Sequence, residues 1–243
     1  MAGLAMAEPL LSVRELQSGY GDVTVLWSID LDVSEGEIAC IVGSNGAGKT
    51  TLLRTISGVV RASAGAITFA GRDVVRFEPD AILGAGIAHV LEGRRLFRGL
   101  SVRDNLLLGA HLRHDRAEIA RDLDFVFGVF PVLRERKLQD ATTLSGGEQQ
   151  MCALGRGIMS KPKLMMIDEL SLGLAPQAVE RMSEALREIN RAGITILLVE
   201  QDVATAFDLA HHAFVIEQGK VAIHGESHAL AADPKIRQAY MGI

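Results

Sequence analysis

The sequence predicts an α/β fold: a mainly parallel core sheet with helices on its faces, an amino-terminal antiparallel β part and an inserted helical subdomain. Three observations predict it. Strand-like stretches alternate with helix-like ones along most of the chain, the pattern of a parallel sheet wrapped by helices. The runs Glu37–Gly43, Lys163–Asp168 and Gly193–Glu200 are apolar almost throughout, as strands buried on both faces require. Between roughly 74 and 150 the apolar residues switch to helical spacing. The expected organisation is one domain over 10–243 after a short extension, 1–9. Residues 10–73 and 151–243 form its core, and about 74–150 form the helical part.

Taken in order, Leu10–Leu16 and Val23–Val33 read as strands joined by the turn Ser18-Gly19-Tyr20-Gly21. The strand at Glu37–Gly43 runs into a glycine-rich loop, and Thr51–Ser57 continues as a helix. Ser101-Val-Arg-Asp104 has the form of a capping box opening a helix. Ile119, Leu123, Val126, Phe127 and Phe130 then line one helical face. Val179, Met182, Leu186 and Ile189 line another, ending near Ala192-Gly193. Phe214–Glu217 and Lys220–His224 make a hairpin turning at Gln218-Gly219.

Composition excludes several functions. With 48% hydrophobic and 23% charged residues the chain is globular rather than disordered. A net charge of −5 argues against a primary binder of the nucleic-acid backbone, so no nucleic-acid partner is expected. Cys40 and Cys152 form no C-x-x-C pair, which suggests neither a disulfide framework nor a zinc ribbon. The first residues lack the basic start and long apolar core of a signal peptide. The longest apolar run, Ile194–Val199, is far short of the roughly 20 residues that cross a bilayer. His111, His114, His211 and His212 have no matching carboxylates or cysteines and read as surface or helix-end histidines. Met165 and Met166 read as core filler.

Three motifs carry chemistry. Gly43-Ser44-Asn45-Gly46-Ala47-Gly48-Lys49-Thr50 matches G-x-x-x-x-G-K-[ST] in full, between an apolar strand and a helix that begins with Thr51. Glycines there let successive backbone N–H groups curl around phosphate oxygens, and the helix start adds its positive end. Lys49 suits the β- and γ-phosphates, and the Thr50 hydroxyl suits a magnesium ion. The second motif is Leu164-Met-Met-Ile-Asp168-Glu169, an apolar strand delivering two carboxylates. Asp168 suits the metal and Glu169 an attacking water. The third is Leu144-Ser145-Gly146-Gly147-Glu148-Gln-Gln150, a helix start just before the acidic strand. Its free N–H groups make a second anion site. One nucleotide has no need of two such helix starts. A head-to-tail pair of chains does, each closing on the nucleotide held by the other.

Together these motifs resemble the ATP-binding cassette (ABC) subunits of transporters, over a stretch from about Leu10 to the carboxyl terminus. More narrowly the chain is similar to the LivF branch, the ATPase subunits of branched-chain amino acid importers. That finer likeness rests on Glu92-Gly-Arg-Arg-Leu-Phe97, Ser171-Leu-Gly-Leu-Ala-Pro176 and Leu198-Val-Glu-Gln201.

The resemblance implies ATP and Mg2+ as cofactors, with Tyr20 stacking on adenine. It places Glu92 at a metal-linked position where most relatives carry glutamine, and a carboxylate there can still ligate magnesium. Gln201 takes the place of a histidine near the γ-phosphate. Its amide cannot carry a proton as imidazole does, which favours Glu169 as the base. The implied partners are an identical chain or a sister ABC ATPase, two transmembrane permease subunits, and indirectly a periplasmic or extracellular substrate-binding protein. The implied location is peripheral, on the cytoplasmic face of the plasma membrane. Arg94, Arg95 and Arg98 form a basic patch that reads either as a solvated face or as a docking surface for a cytoplasmic helix of the permease.

A close relative importing urea or short amides is the main alternative, and a non-transport ABC ATPase is the remoter one. Ala175 stands where many ABC proteins carry aspartate, and Leu91 and Leu170 stand where the LivF-like pattern has proline. Without the proline's fixed backbone, hydrolysis is expected to be slower or leakier than in a Leu170→Pro version.

Overall fold

A computed structural model describes residues 8–171 and 173–241. In chain order the elements begin with β1 (Leu11–Tyr20), β2 (Val23–Val33), β3 (Ile38–Val42) and α1 (Lys49–Ile56). Next come β4 (Ala62–Phe69), β5 (Arg72–Asp73), α2 (Pro79–Ala85) and β6 (Ile87–Val90). The helical segment holds α3 (Val102–Leu108), α4 (Arg116–Val129), α5 (Pro131–Glu135) and α6 (Gly146–Ile158). The chain continues through β7 (Leu164–Asp168), α7 (Pro176–Arg191), β8 (Thr195–Glu200) and α8 (Val203–Leu209). The last elements are β9 (His212–Glu217), β10 (Lys220–Glu226), α9 (Ser227–Ala232) and α10 (Pro234–Ile236).

The strands form two sheets. Four make an antiparallel sheet in the order β2-β1-β4-β5, and six make the main sheet in the order β10-β9-β3-β8-β7-β6. In the main sheet β3 pairs in parallel with β8 and β9, and β7 with β6 and β8. Only β10 runs antiparallel, as the second arm of a hairpin. Every residue of β3, β7 and β8 is buried, because both faces of this sheet are covered. Alternate side chains serve the two faces. Cys40, Val42, Met165, Ile167 and Leu198 join the core under the helical segment, α7 and α8. Ala39, Ile41, Met166, Leu197 and Val199 join the core shared with α1 and the antiparallel sheet.

Three sequence expectations need correction. The first strand does not stop at Leu16; it runs to Tyr20, and the chain turns at Gly21, whose φ of 56° is left-handed. Ser18 lies inside that strand, buried against Thr55 of α1 at 2.7 Å. The stretch 74–150 is not wholly helical, since β6 lies within it and pairs with β7 as the edge of the main sheet. Finally, Ser101 does cap α3 by accepting from the Asp104 N–H at 3.1 Å, but Asp104 returns its carboxylate to the Ser101 hydroxyl, not to its backbone.

Parallel pairing lines up the carboxyl ends of the central strands. Val42 stands opposite Glu200, and Asp168 opposite Val199. The glycine-rich loop, the Asp168-Glu169 pair and the Glu200-Gln201 pair therefore emerge side by side at one edge, where open α/β sheets bind ligands.

Candidate nucleotide site

The loop after β3 is shaped by glycine. Gly43 has φ 152°, and a Cβ there would stand 2.2 Å from the carbonyl oxygen of Ile216, so the loop leaves the sheet pressed against β9. Gly48 closes the loop at φ 108° as the residue before α1, and no side chain caps that helix. The first N–H groups of α1 are thus left to an anion. The hairpin turn steadies the loop from outside, Gly219 N–H donating to the Ala47 carbonyl at 2.9 Å.

Lys49 is buried, and its ammonium donates back to the loop carbonyls of Gly43 at 2.8 Å and Ser44 at 3.2 Å. Burial lowers its pKa, while the charges of Glu169, Asp168 and Glu200 act to raise it. Those two carbonyls hold the side chain over the loop.

Thr50 and Asp168 meet across the gap between α1 and β7, hydroxyl to Oδ1 at 3.1 Å. Asp168 is 1% exposed, and its Oδ2 has no partner among the described residues. Burial pushes this carboxyl up to about 6, with Glu169 and Glu92 adding repulsion and the Thr50 bond opposing the shift. A buried, orphaned carboxylate oxygen beside a hydroxyl fits a hard cation such as Mg2+. Among the described residues no cluster of three or more His, Cys, Asp or Glu could hold a metal alone. A cation here would therefore complete its shell with phosphate oxygens and water.

Glu169 follows in a left-handed conformation, φ 53°, with its N–H donating to the Val199 carbonyl at 3.0 Å. Its carboxylate accepts from the Gln201 amide at 2.6 Å. Asn45, Gly46, Lys49, Thr50, Glu169 and Gln201 line one cleft of about 610 Å³, together with Glu92. Tyr20 does not line that cleft. It is 46% exposed at the end of β1, its hydroxyl accepting from Arg54 of α1 at 3.4 Å.

The second helix start lies elsewhere. Ser145 and Glu148 make a reciprocal capping box on α6: the Ser145 hydroxyl accepts from the Glu148 N–H, and the Glu148 carboxylate accepts from the Ser145 N–H. Arg136 holds the same carboxylate at 3.3 Å. Ser145, Gly146, Gly147 and Glu148 line a separate cavity of about 420 Å³, shared with Gly173 and Ala175. Within one chain the two helix starts line different cavities.

Two further positions bear on the site. Leu170 is 2% exposed and packs in the core beneath the helices, so burial of its side chain anchors the turn after Glu169. Leu172, within the Ser171–Pro176 stretch, lies outside the described residues, as do 1–7 and 242–243. Sequence reasoning assigns no role to Glu200, which is 1% exposed at the end of β8. The available signal is its place: like Asp168, it is a carboxylate ending a fully buried strand.

A phosphate loop and two strand-end carboxylates on a parallel sheet define a P-loop nucleotide-binding fold. The helical segment whose α6 opens on Ser145-Gly146-Gly147 narrows the class to the ATP-binding cassettes. The comparisons agree. Residues 26–171 match the ABC transporter family. The chain is 42% identical to the high-affinity branched-chain amino acid transport ATP-binding protein BraG of Pseudomonas aeruginosa, over 96% of this chain and 100% of the relative. It is 32% identical to a probable LivF branched-chain amino acid transport ATP-binding protein of Archaeoglobus fulgidus, over 96% of this chain and 99% of that one. Among solved structures, an ATP-binding cassette of an ABC transporter shares the fold with a TM-score of 0.86 at 24% identity, covering 96% of this chain and 99% of that one.

The chain belongs to the ABC transporter family, as an ATP-binding, ATP-hydrolysing subunit. No helix among the described residues is long and apolar enough to cross a membrane.

Proposed function

We propose that two such chains, identical or sister ATPases, close head to tail on two molecules of ATP and drive import of branched-chain amino acids through two permease subunits. The observation that carries the reading is the separation of the two anion sites. The phosphate loop and Glu169 line one cleft, and Ser145-Gly146-Gly147 line another. A second chain bringing its α6 over the first chain's phosphate loop would complete each site. Tyr20 would stack on adenine, and the loop from Gly43 to Thr51 would wrap the phosphates, with Lys49 on the β- and γ-groups. Glu148 would serve indirectly, as the cap that holds Ser145.

Thr50, Asp168 and, through its position in the cleft, Glu92 would hold Mg2+. Bound there, the ion supplies charge neutralisation at the phosphate oxygens. Glu169 accepts a proton from the attacking water as the water oxygen bonds to the γ-phosphorus and the bridging bond to ADP breaks. Gln201 holds Glu169 in place and donates towards the γ-phosphate.

Closure would be passed to the permease through the loop after Glu92. Beside it lies an open groove of about 480 Å³, lined by Leu83, Val90, Phe97, Leu108 and Arg156. Arg94, Arg95 and Arg98 follow in the same segment. This docking would put the chain on the cytoplasmic face of the membrane. A periplasmic or extracellular binding protein would deliver cargo on the other side.

The relatives in P. aeruginosa and A. fulgidus support the choice of cargo. The test is uptake in the source cell with Lys49→Ala at the native locus, following labelled leucine and urea in parallel. Loss of leucine uptake alone is expected. Loss of urea uptake alone would keep the mechanism and change the cargo, and survival of both would overturn the transport reading.

A further inference from the structure

Glu200 is buried at the end of β8, yet its carboxylate is fully engaged. One oxygen accepts the Ser171 N–H at 2.9 Å, and the other accepts the Ser171 hydroxyl at 2.7 Å and the Gln201 N–H at 3.3 Å. Taking a carboxylate out of water costs several kcal/mol unless its oxygens are hydrogen-bonded. Here every donor comes from the two turns that carry Glu169 and Gln201.

Those turns need holding. Glu169 sits at φ 53°, a conformation that side-chain-bearing residues rarely adopt and that persists only when the surroundings enforce it. On one side its N–H is tied to Val199. Two residues on, Ser171 is tied to Glu200 through both backbone and side chain. From the other strand, the Gln201 backbone is tied to Glu200 and its amide to the Glu169 carboxylate. Glu200 thus reaches Glu169 by two routes, through Ser171 along β7's turn and through Gln201 along its own.

We propose that Glu200 is a positioning residue for hydrolysis, its buried carboxylate clasping the turn that carries Glu169 to the turn that carries Gln201. The proposal rests on the reading of Glu169 as the residue that activates water. The same clasp ties Ser171, the start of the segment leading to Gly173 and Ala175 beside the Ser145 cavity. It therefore links the water-activating residue to the edge of the surface that a second chain would cover.

The experiment uses the full chain and measures steady-state ATP hydrolysis, binding of a non-hydrolysable ATP analogue, and melting temperature. Glu200→Gln keeps the shape, but when its amide oxygen accepts the Ser171 N–H its NH2 faces the Gln201 N–H, donor against donor. It should lower kcat about 10- to 100-fold, the scale expected when a catalytic group is displaced by a fraction of an ångström to 1 Å. KM for MgATP and analogue affinity should stay within about two-fold, since neither the phosphate loop nor Thr50 is touched. Ser171→Ala, which deletes one of the three bonds, should lower kcat less. The double variant should be no slower than Glu200→Gln alone, because both act through one clasp.

If Glu200→Gln does not fold, Ser171→Ala carries the test: a lower kcat at native KM supports the clasp, and native kcat overturns it. Native kcat in Glu200→Gln, multiplicative effects in the double variant, or a parallel fall of kcat, affinity and melting temperature would each overturn the proposal. Glu169→Gln measured alongside separates the two levels. If it is inactive while Glu200→Gln turns over normally, only the clasp fails. If it turns over normally, the role of Glu169 falls and the clasp with it.

Discussion

The Thr50 hydroxyl donates to Asp168 Oδ1 at 3.1 Å, joining two residues 118 positions apart. The bond draws the first turn of α1 to the end of β7 and leaves Asp168 Oδ2 buried without a partner among the described residues. The protein therefore keeps a carboxyl group in an environment that disfavours its charge.

That burial has a pH signature. The Asp168 carboxyl is pushed up to about 6 from an ordinary 3.8, chiefly by burial. A folded state that holds a proton more tightly than the unfolded chain loses stability as pH rises through the interval between the two values. The loss begins near 3.8, is complete above about 6, and vanishes below both. Asp168→Asn removes the titration, so between about pH 4 and 6 its stability should gain on the native chain, by about 2–3 kcal/mol in all. Urea unfolding of both proteins across that range, without nucleotide, measures the difference. Mg2+-dependent ATP binding should run the other way. It should weaken by up to about tenfold per pH unit below about 6, because a ligating carboxylate must first lose its proton, and it should be poor in Asp168→Asn at every pH.

The two residues joined by the 2.6 Å contact between Gln201 and Glu169 should not be equally sensitive. Glu169→Gln keeps the shape and removes the base, so kcat should fall by about 10²–10⁴-fold with MgATP affinity preserved. Gln201→Ala removes only a support and one donor, and should cost about tenfold. Steady-state hydrolysis by the two variants side by side gives the order, and a larger loss in Gln201→Ala would reverse the assignment.

Separated anion sites predict concentration dependence. If each site draws Ser145, Gly146 and Gly147 from a second chain, specific activity should fall steeply once the protein is diluted below its dimer dissociation constant. A chain that hydrolysed ATP at one specific rate over a roughly thousand-fold dilution would contradict the shared site.

The parts of this arrangement that are legible in the sequence are those whose physics is local. Gly43–Thr50 needs only its own backbone freedom and the strand before it, and the apolar runs of β3, β7 and β8 declare burial on both faces. The strands that are not legible are weak by composition. β4, Ala-Ser-Ala-Gly-Ala-Ile-Thr-Phe, carries a glycine and three alanines, which have little intrinsic β preference. β6 is four residues long and includes His89. Both are strands because β1 and β7 present edges for them to pair with. Glu200 is hidden for a related reason: its significance lies in Ser171, 29 positions away, and only the parallel pairing of β7 with β8 brings the two together.

A close approach within the helical segment makes the last prediction. Gly109 ends α3 at an ordinary helical φ, so its importance is not conformational. A Cβ at that position would stand 1.9 Å from the carbonyl oxygen of Arg156 on α6 and 3.0 Å from Met159. Neither neighbour can yield: one is helix backbone, and the other is a wholly buried side chain. Gly109→Ala should therefore push α3 from α6 and destabilise the chain by more than about 2 kcal/mol. Gly128, exposed near the end of α4, has open space within 4 Å of where a Cβ would stand. It is the control, and Gly128→Ala should stabilise by about 0.5 kcal/mol through helix propensity alone. Thermal melts of the two variants should move in opposite directions. The same displacement would carry the amino end of α6, and with it Ser145, so Gly109→Ala should also lose ATP turnover at temperatures where it remains folded.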